Sequence, residues 1–316
     1  MLRAAASFDA QATLGFLVSQ TSAIEQEVYA IRYADIQYPS LVPVDTSAYP
    51  WAKTVTYFTT DGAGQADWMN DNASDMPFAE VAHTKYETTV EAAKIGYRFT
   101  LEEVNQAMMI PGMTLTSDKA AAAKRAAEEL VEKVVISGDA RKGFLGLVNQ
   151  TVVPQTAVPN GPTNNSPLWA QKVPGEILAD VNNSLVGAWA ATAQVELHDT
   201  VLLPVAQYGL IAGTPRSTNA DTTILSYLQQ NNIYTASTGK PLTIRTVRQL
   251  AGAGAGGTSR MITYRRDPQV LKFHMPMPHQ FFPPQQRMLE FIVPGMMRLG
   301  GLDVRLPKGI SYNDGI

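Results

Sequence analysis

Four glycines in the stretch AGAGAGGTSR (Gly252, Gly254, Gly256 and Gly257) are the first candidates for chemistry, because closely spaced glycines let backbone N–H groups approach a phosphate. A dinucleotide fingerprint needs a strand before the glycines, a helix after them and a later acidic residue for the ribose. Here the following residues, TSRMITYRR, read as a strand, and no Walker lysine follows the glycines. The stretch therefore reads as a flexible loop. Histidines come next. His274 and His279 are separated by two prolines, and their spacing puts them on opposite faces of an extended chain rather than around one metal ion. His83 and His198 have no matching ligand spacing. His198 and Asp199, beside several serines, suggest a hydrolase pair, but no G-x-S-x-G elbow supplies a nucleophile. Glu102–Glu103 and Glu128–Glu129 fall on predicted helix surfaces, where solvated faces explain them. The sequence thus assigns no catalytic residue, no metal ligand and no cofactor.

The element that must position everything else is a long helix predicted over Ser117–Ser137. Thr116 or Ser117 can cap it, and Asp118 in the first turn suits the helix dipole. Ala120, Ala123, Ala127, Leu130 and Val134 recur three and four apart and form one apolar stripe. Lys124–Glu128, Arg125–Glu129 and Glu129–Lys133 are opposite-sign pairs on the other side. Gly138 stops the helix, which spans roughly 30 Å at the usual rise per residue. A tight turn with Gly143 and Gly146 follows, in GDARKGFLGLVNQ.

The chain has 316 residues, enough for one or two domains, and no cysteine, which excludes disulfides and thiolate metal sites. A net charge of -3 provides no broad basic surface for nucleic acid. No apolar run reaches the length of a membrane span, and MLRAAASFDAQ has no signal-peptide core. Twenty prolines and twenty-three glycines favour strands and turns over a helix bundle.

Residues 1–48 hold a predicted helix with Leu14, Leu17, Val18, Ile24, Val28 and Ile31 on one face, then an extended exit through Pro39 and Pro43. From Trp51 a β-branched and aromatic run, Thr54–Phe58, pairs with a return at His83–Val90 and Lys94–Thr100 around a large polar tip. Such a ribbon is marginal by itself and needs a neighbour to lie against. Beyond the long helix, a helix from Pro174 to Ala190 carries Ile177, Val181, Leu185, Ala188 and Trp189 on one face. It alternates with strands at Thr200–Val205, Leu242–Leu250 and Arg260–Tyr264 and a helix at Thr222–Gln230, which implies an α/β subdomain. Strands are then expected at Val270–Phe273, Met288–Val293 and Leu302–Leu306, around the aromatic and proline loop PMPHQFFPPQQ.

In the order arm, ribbon, long helix, glycine turn, α/β subdomain and returning strands, the chain resembles the major capsid proteins of tailed bacteriophages with the Hong Kong ninety-seven type fold. The stretches that carry the likeness are EVYAIRYADIQYPSLVPVDTSA, KAAAAKRAAEELVEKVVISGD with GFLGLVNQ, GAGAGGTSRMITYRRDPQVL and GGLDVRLPKGISYNDGI.

The resemblance implies an α+β fold with an N-terminal arm at 1–48, an extended loop at 49–97 and a peripheral domain at 98–165 and 268–300 with its spine helix at 117–137. The axial domain would be 166–267 and 301–316. It implies assembly without a chemical step: pentamers and hexamers of one chain in an icosahedral head enclosing double-stranded DNA that is contacted non-specifically. Scaffold, portal and decoration proteins are the implied partners, with no membrane, and the implied location is the virion, assembled in the host cytoplasm. The assembly residues would be Ala120, Ala123, Ala127, Leu130, Val134, Gly138, Gly143 and Gly146 on the spine and turn. Trp51, Tyr57, Phe58, Trp68 and Lys85 would serve on the extended loop, and the four glycines from Gly252 to Gly257 at the axial loop. Ala127→Glu is accordingly expected to abolish shells while leaving soluble subunits. The rivals are a cellular shell of the same fold around an enzyme cargo, and a nucleotide-using enzyme built on the glycine loop.

Overall fold

The computed structural model describes residues 33–64, 78–108, 115–217 and 221–316. The helix predicted on Leu14 to Ile31, and Trp68 in the ribbon tip, lie outside them. Among the described residues helices and strands mix as the α+β class requires.

The long helix runs Leu115–Ile136, two residues ahead of the predicted start, so Ser117 and Asp118 sit within its first turn. Ala123, Ala127, Val131, Val134 and Val135 are buried, and Leu130 packs against the same core. The stripe drifts toward Val131 and Val135 as a period of 3.6 residues demands. The charged side is partly covered by the chain itself. Arg125 pairs with Glu129 at 2.9 Å, donates to the Ala34 carbonyl at 3.2 Å and lies 4.0 Å over the Tyr33 ring. Buried Glu132 accepts from the Gln37 N–H at 3.1 Å.

The ribbon consists of Thr54–Ala63 and Glu80–Thr89, paired antiparallel from Thr54↔Thr89 to Ala63↔Glu80. The predicted return at Lys94–Thr100 belongs elsewhere. The chain leaves the ribbon at buried Val90, and Glu91–Lys94 and Tyr97–Thr100 pair with Gly295–Leu299 and Glu290–Val293. Met277–Phe281 and Gln285–Arg287 complete two three-stranded sheets that together make a platform, so a strand lies inside the expected proline loop. Proline is tolerated there because the strand is at the platform's edge. The strand expected from Met288 starts at Glu290, because Met288 and Leu289 form the turn.

Val44–Asp45, Leu271–His274 and Leu302–Val304 make a small sheet at the ribbon's base. A five-stranded sheet follows the spatial order Thr243–Thr246, Thr200–Leu203, Arg260–Tyr264, Ile310–Asp314, Gln155–Ala157. The strand expected through Val205 ends at Leu203, because Pro204 opens the helix Val205–Gly213. Alternation gives the sheet two covered faces. Leu202, Ile262, Tyr264, Ile310 and Tyr312 share a core with the long helix, whereas Val201, Leu203, Met261 and Ile244 pack with the helices Pro174–Ala191, Val205–Gly213 and Ile224–Gln230.

Candidate assembly surfaces

The ribbon has an anchored face and an open face, set by the two-residue period of a strand. On the anchored face Tyr57 stacks on Tyr86 with ring centroids 5.2 Å apart, and Arg305 lies 4.5 Å over the Tyr57 ring. The Tyr57 hydroxyl donates to Asp303 Oδ1 at 3.3 Å. Burial, and then the Asp303 charge, push the phenol up to about 12, so it remains a neutral donor that ties the ribbon to the strand Leu302–Val304. Phe58 is on the open face, directly across from Lys85, and is 66% exposed. Lys85 forms an ion pair with Glu87 on the same strand. Phe78 and Val81 toward the ribbon's far end, and Trp51 at its base, are also exposed, with Arg298 6.0 Å from the Trp51 ring. Large apolar side chains left open on a marginal ribbon mark it as an interaction surface.

The glycine turn closes the long helix through a close backbone approach. Gly138 pairs with Leu145 and Asp139 with Phe144. Gly138 has a φ of 75°, and a Cβ there would lie 2.3 Å from the Phe144 carbonyl oxygen. A Cβ on Gly146 would lie 2.3 Å from the Ile136 oxygen and 2.4 Å from the Gly138 nitrogen. Gly143 needs only its left-handed φ of 71°, with open space around it. Beside the turn a notch of about 240 Å³ is lined by Ala92, Ala93, Leu130, Val134, Phe144 and Leu299, with the pair Lys142–Glu91 at 2.7 Å on its rim. Ala127, by contrast, is 1% exposed inside its own subunit. A glutamate there would bury a charge in the core, so Ala127→Glu breaks the subunit rather than sparing it; the expectation of soluble subunits is corrected accordingly.

The loop with Gly252, Gly254, Gly256 and Gly257 is a built turn, not a flexible one. Gly252, Gly256 and Gly257 have φ of 77°, 67° and 78°, and the Ala255 N–H donates to Asp314 Oδ2 at 2.8 Å. A short 3-10 turn, Ala255–Gly257, precedes the strand Arg260–Tyr264, so the helix a pyrophosphate site needs is missing at this place. The loop covers a buried ion pair that the sequence did not reveal. Arg260 holds Asp314 through Nε–Oδ1 at 2.6 Å and Nη2–Oδ2 at 2.9 Å, and its Nη1 donates to the Val148 carbonyl at 2.7 Å. Tyr312 lies under the guanidinium at 4.3 Å and donates to the Leu147 carbonyl at 2.5 Å. Burial raises the Asp314 carboxyl, but hydrogen bonds from Arg260, Ala255 and Gln155 outweigh it and leave Asp314 below the ordinary carboxylate range. This network joins the glycine turn to the five-stranded sheet. A second buried pair, Lys172–Asp180 at 2.6 Å, takes a further bond from Trp169 Nε1 at 2.9 Å and pins the proline-rich loop onto its helix.

The histidines are structural. His198 Nδ1 faces Thr263 Oγ1 at 3.0 Å, whereas Asp199 Oδ1 accepts from the Thr200 hydroxyl and the Arg266 N–H, so the two do not form a hydrolase pair. His274 stands between Asp45 at 3.5 Å and Asp303 at 3.6 Å, and His279 contacts the Ile95 carbonyl at 3.2 Å, so they do not converge on a common ion. His83 bonds Thr60 across the ribbon at 3.1 Å.

Comparison with known proteins gives the family and the fold. A family model described as "Major capsid protein" matches residues 64–316. Curated protein sequences returned no match. Among solved structures, the capsid of the Myoviridae phage XM1 aligns with a TM-score of 0.76 at 17% identity, covering 94% of this chain and 98% of that one. The capsid of an empty GTA particle aligns at 0.64 and 10% identity, covering 98% and 99%. A virus-like particle from Pyrococcus furiosus aligns at 0.52 and 11% identity, covering 87% and 91%. At these identities the likeness establishes the fold.

Proposed function

The chain belongs to the major capsid protein family; from this premise we propose that it is the subunit of an icosahedral phage shell and that its parts divide the work of assembly as follows. The long helix with the platform is the stiff peripheral body. The five-stranded lobe is the axial part whose loops, with the glycine turn at 252–257, line the centre of a ring of five or six copies. The ribbon is the arm that overlaps a neighbour in the ring, using Trp51, Phe58 and Lys85 on its open side, while Tyr57 holds its base. Head-to-tail contacts of this kind close into rings.

The observation that carries this division is the ribbon itself: it is fastened to its own subunit at Tyr57 and presents Phe58, Phe78 and Val81 to solvent. A second copy supplies the surface that the ribbon lacks. Packaged double-stranded DNA meets the inner face through phosphates alone, in local contacts, because a subunit of net charge -3 has no general attraction for it. Scaffold, portal and decoration proteins complete the head, and assembly takes place in the host cytoplasm.

The test is Phe58→Glu. Since Phe58 is 66% exposed, the variant subunit should unfold at the wild-type temperature yet give few particles by negative-stain electron microscopy. Wild-type particle yield from this variant contradicts the assignment of the ribbon.

A further inference from the structure

Arg298 is a buried cation without an anion. Its strand, Gly295–Leu299, alternates, so Met297 and Leu299 enter the core beside the long helix and Arg298 lies on the opposite face of the sheet. The residue is only 9% exposed. Its Nη1 donates to the Pro50 carbonyl at 3.2 Å, the Trp51 ring stands 6.0 Å from the guanidinium, and Nε is buried with no hydrogen-bond partner. Among the described residues no carboxylate lies within 4.0 Å of it.

The other buried cations show what is missing. Arg260 has Asp314 and Lys172 has Asp180, each in direct contact. Taking a guanidinium out of water without a counter-charge is costly, and one carbonyl and a ring at the limit of cation–π range offset it only in part. If the position needed only an apolar filler, methionine would serve, as it does at Met296 and Met297 next to it.

The surroundings are cationic as well. Ala92 is the register partner of Arg298 and Lys94 that of Met296, so Lys94 shares the face of Arg298 one step along the sheet. Lys53 stands at the ribbon base, where its carbonyl accepts from the Val90 N–H at 2.8 Å. Both lysines are exposed, and neither forms an ion pair among the described residues. Glu91, the acid of this strand, is on the other face with Leu299 and pairs with Lys142. A free guanidinium N–H backed by two ammonium groups is a donor set for a carboxylate or phosphate oxygen.

The geometry points to an oxyanion site at the ribbon base, with Arg298 Nε–H as its fixed donor, Lys94 and Lys53 as the outer charges and Trp51 as a wall. The ligand is a carboxylate or phosphate group, carried by a free anion or by another copy of the chain; only the second source rests on the proposed shell function.

The test follows thermal unfolding of dissociated subunits in inorganic phosphate and in chloride at equal ionic strength, with particle yield by electron microscopy alongside. Phosphate at about tenfold its Kd should raise the wild-type unfolding temperature by about 2–4 °C. Arg298→Met should lose that rise while melting at or above wild type in chloride, since the unpaired charge has gone. Arg298→Lys keeps the charge but not the Nε–H, and should lose most of the rise. If phosphate leaves wild-type subunits unmoved, while Arg298→Met subunits of undiminished stability give about tenfold fewer particles or less, the oxyanion comes from another copy. An equal phosphate shift in wild type and both variants overturns the site. So does the absence of any shift together with wild-type particle yield from Arg298→Met, or with an Arg298→Met subunit that melts below wild type, which would make the guanidinium a support for Pro50 and nothing more. A wild-type chain that gives no particles counts against the shell function, and the phosphate shift then decides the site by itself.

Discussion

Replacing Gly146 with alanine puts a methyl carbon 2.3 Å from the Ile136 oxygen, 2.4 Å from the Gly138 nitrogen and 2.5 Å from the Ile136 carbonyl carbon. All three are backbone atoms, so no side chain can rotate away, and the turn must separate from the end of the long helix. Three hydrogen bonds sit in that seam: Val148 N–H to the Ile136 oxygen at 3.0 Å, Leu147 N–H to Val135 at 2.8 Å and Gly146 N–H to Asn149 Oδ1 at 2.7 Å. Overpacking costs about 1–3 kcal/mol and each weakened hydrogen bond about 0.5–1.5 kcal/mol, so with three bonds in the seam the substitution should cost about 2.5–7.5 kcal/mol. That is a large share of a stability of about 5–15 kcal/mol. Gly143→Ala is the internal control. It has a φ of 71° but nothing within 4 Å, so only left-handed strain remains, about 1–2 kcal/mol. Denaturant unfolding of dissociated subunits, followed by tryptophan fluorescence, measures both. If Gly146→Ala costs no more than Gly143→Ala, the seam is looser than described and the reasoning fails.

Asp314→Ala should destabilise the subunit by about 3–5 kcal/mol, because it leaves the Arg260 guanidinium buried without its partner, whereas Arg260→Met with Asp314→Leu should cost far less; denaturant midpoints of the two variants decide. The pH dependence has a definite sign. Burial holds the His198 imidazole down at about 4, against an ordinary value near 6.5, so between these values the unfolded chain binds the proton and the native chain does not. Stability therefore falls as pH falls, by about 2 kcal/mol at pH 5 from this group. Asp314, held below the ordinary carboxylate range, contributes stability above that range and loses it as pH drops through its folded value, so both groups weaken the subunit in acid. His198→Gln should flatten the change in unfolding temperature between pH 7 and pH 5; an unchanged slope contradicts the assignment of this histidine.

Periodicity made the long helix legible, since Ala123, Ala127 and Val134 lie where their spacing put them. The glycine turn was equally legible, because Gly138 and Gly146 stand where only a hydrogen atom fits. Partners that depend on distant sequence were not. Nothing local distinguishes Tyr97–Thr100 as a partner of Glu290–Val293 from a continuation of the ribbon; the distinction is a pairing between stretches far apart in sequence. Arg260 and Asp314 gave no signal either, because a buried ion pair between two neighbouring strands looks in sequence like two ordinary strand-end charges. The Met288–Leu289 turn was hidden for a further reason: it breaks the rule by which such turns are recognised, having no glycine or asparagine at its left-handed position. Among the ribbon residues, Tyr57 and Phe58 looked alike in sequence, and only the register showed that one is an anchor and the other an open surface.

Whether this chain builds a shell is decided by electron microscopy of the purified protein. Closed particles tens of nanometres across are expected, built from rings of five and six copies in which each ribbon crosses onto the next subunit. A single discrete small oligomer, with every ribbon folded back on its own subunit, would contradict it.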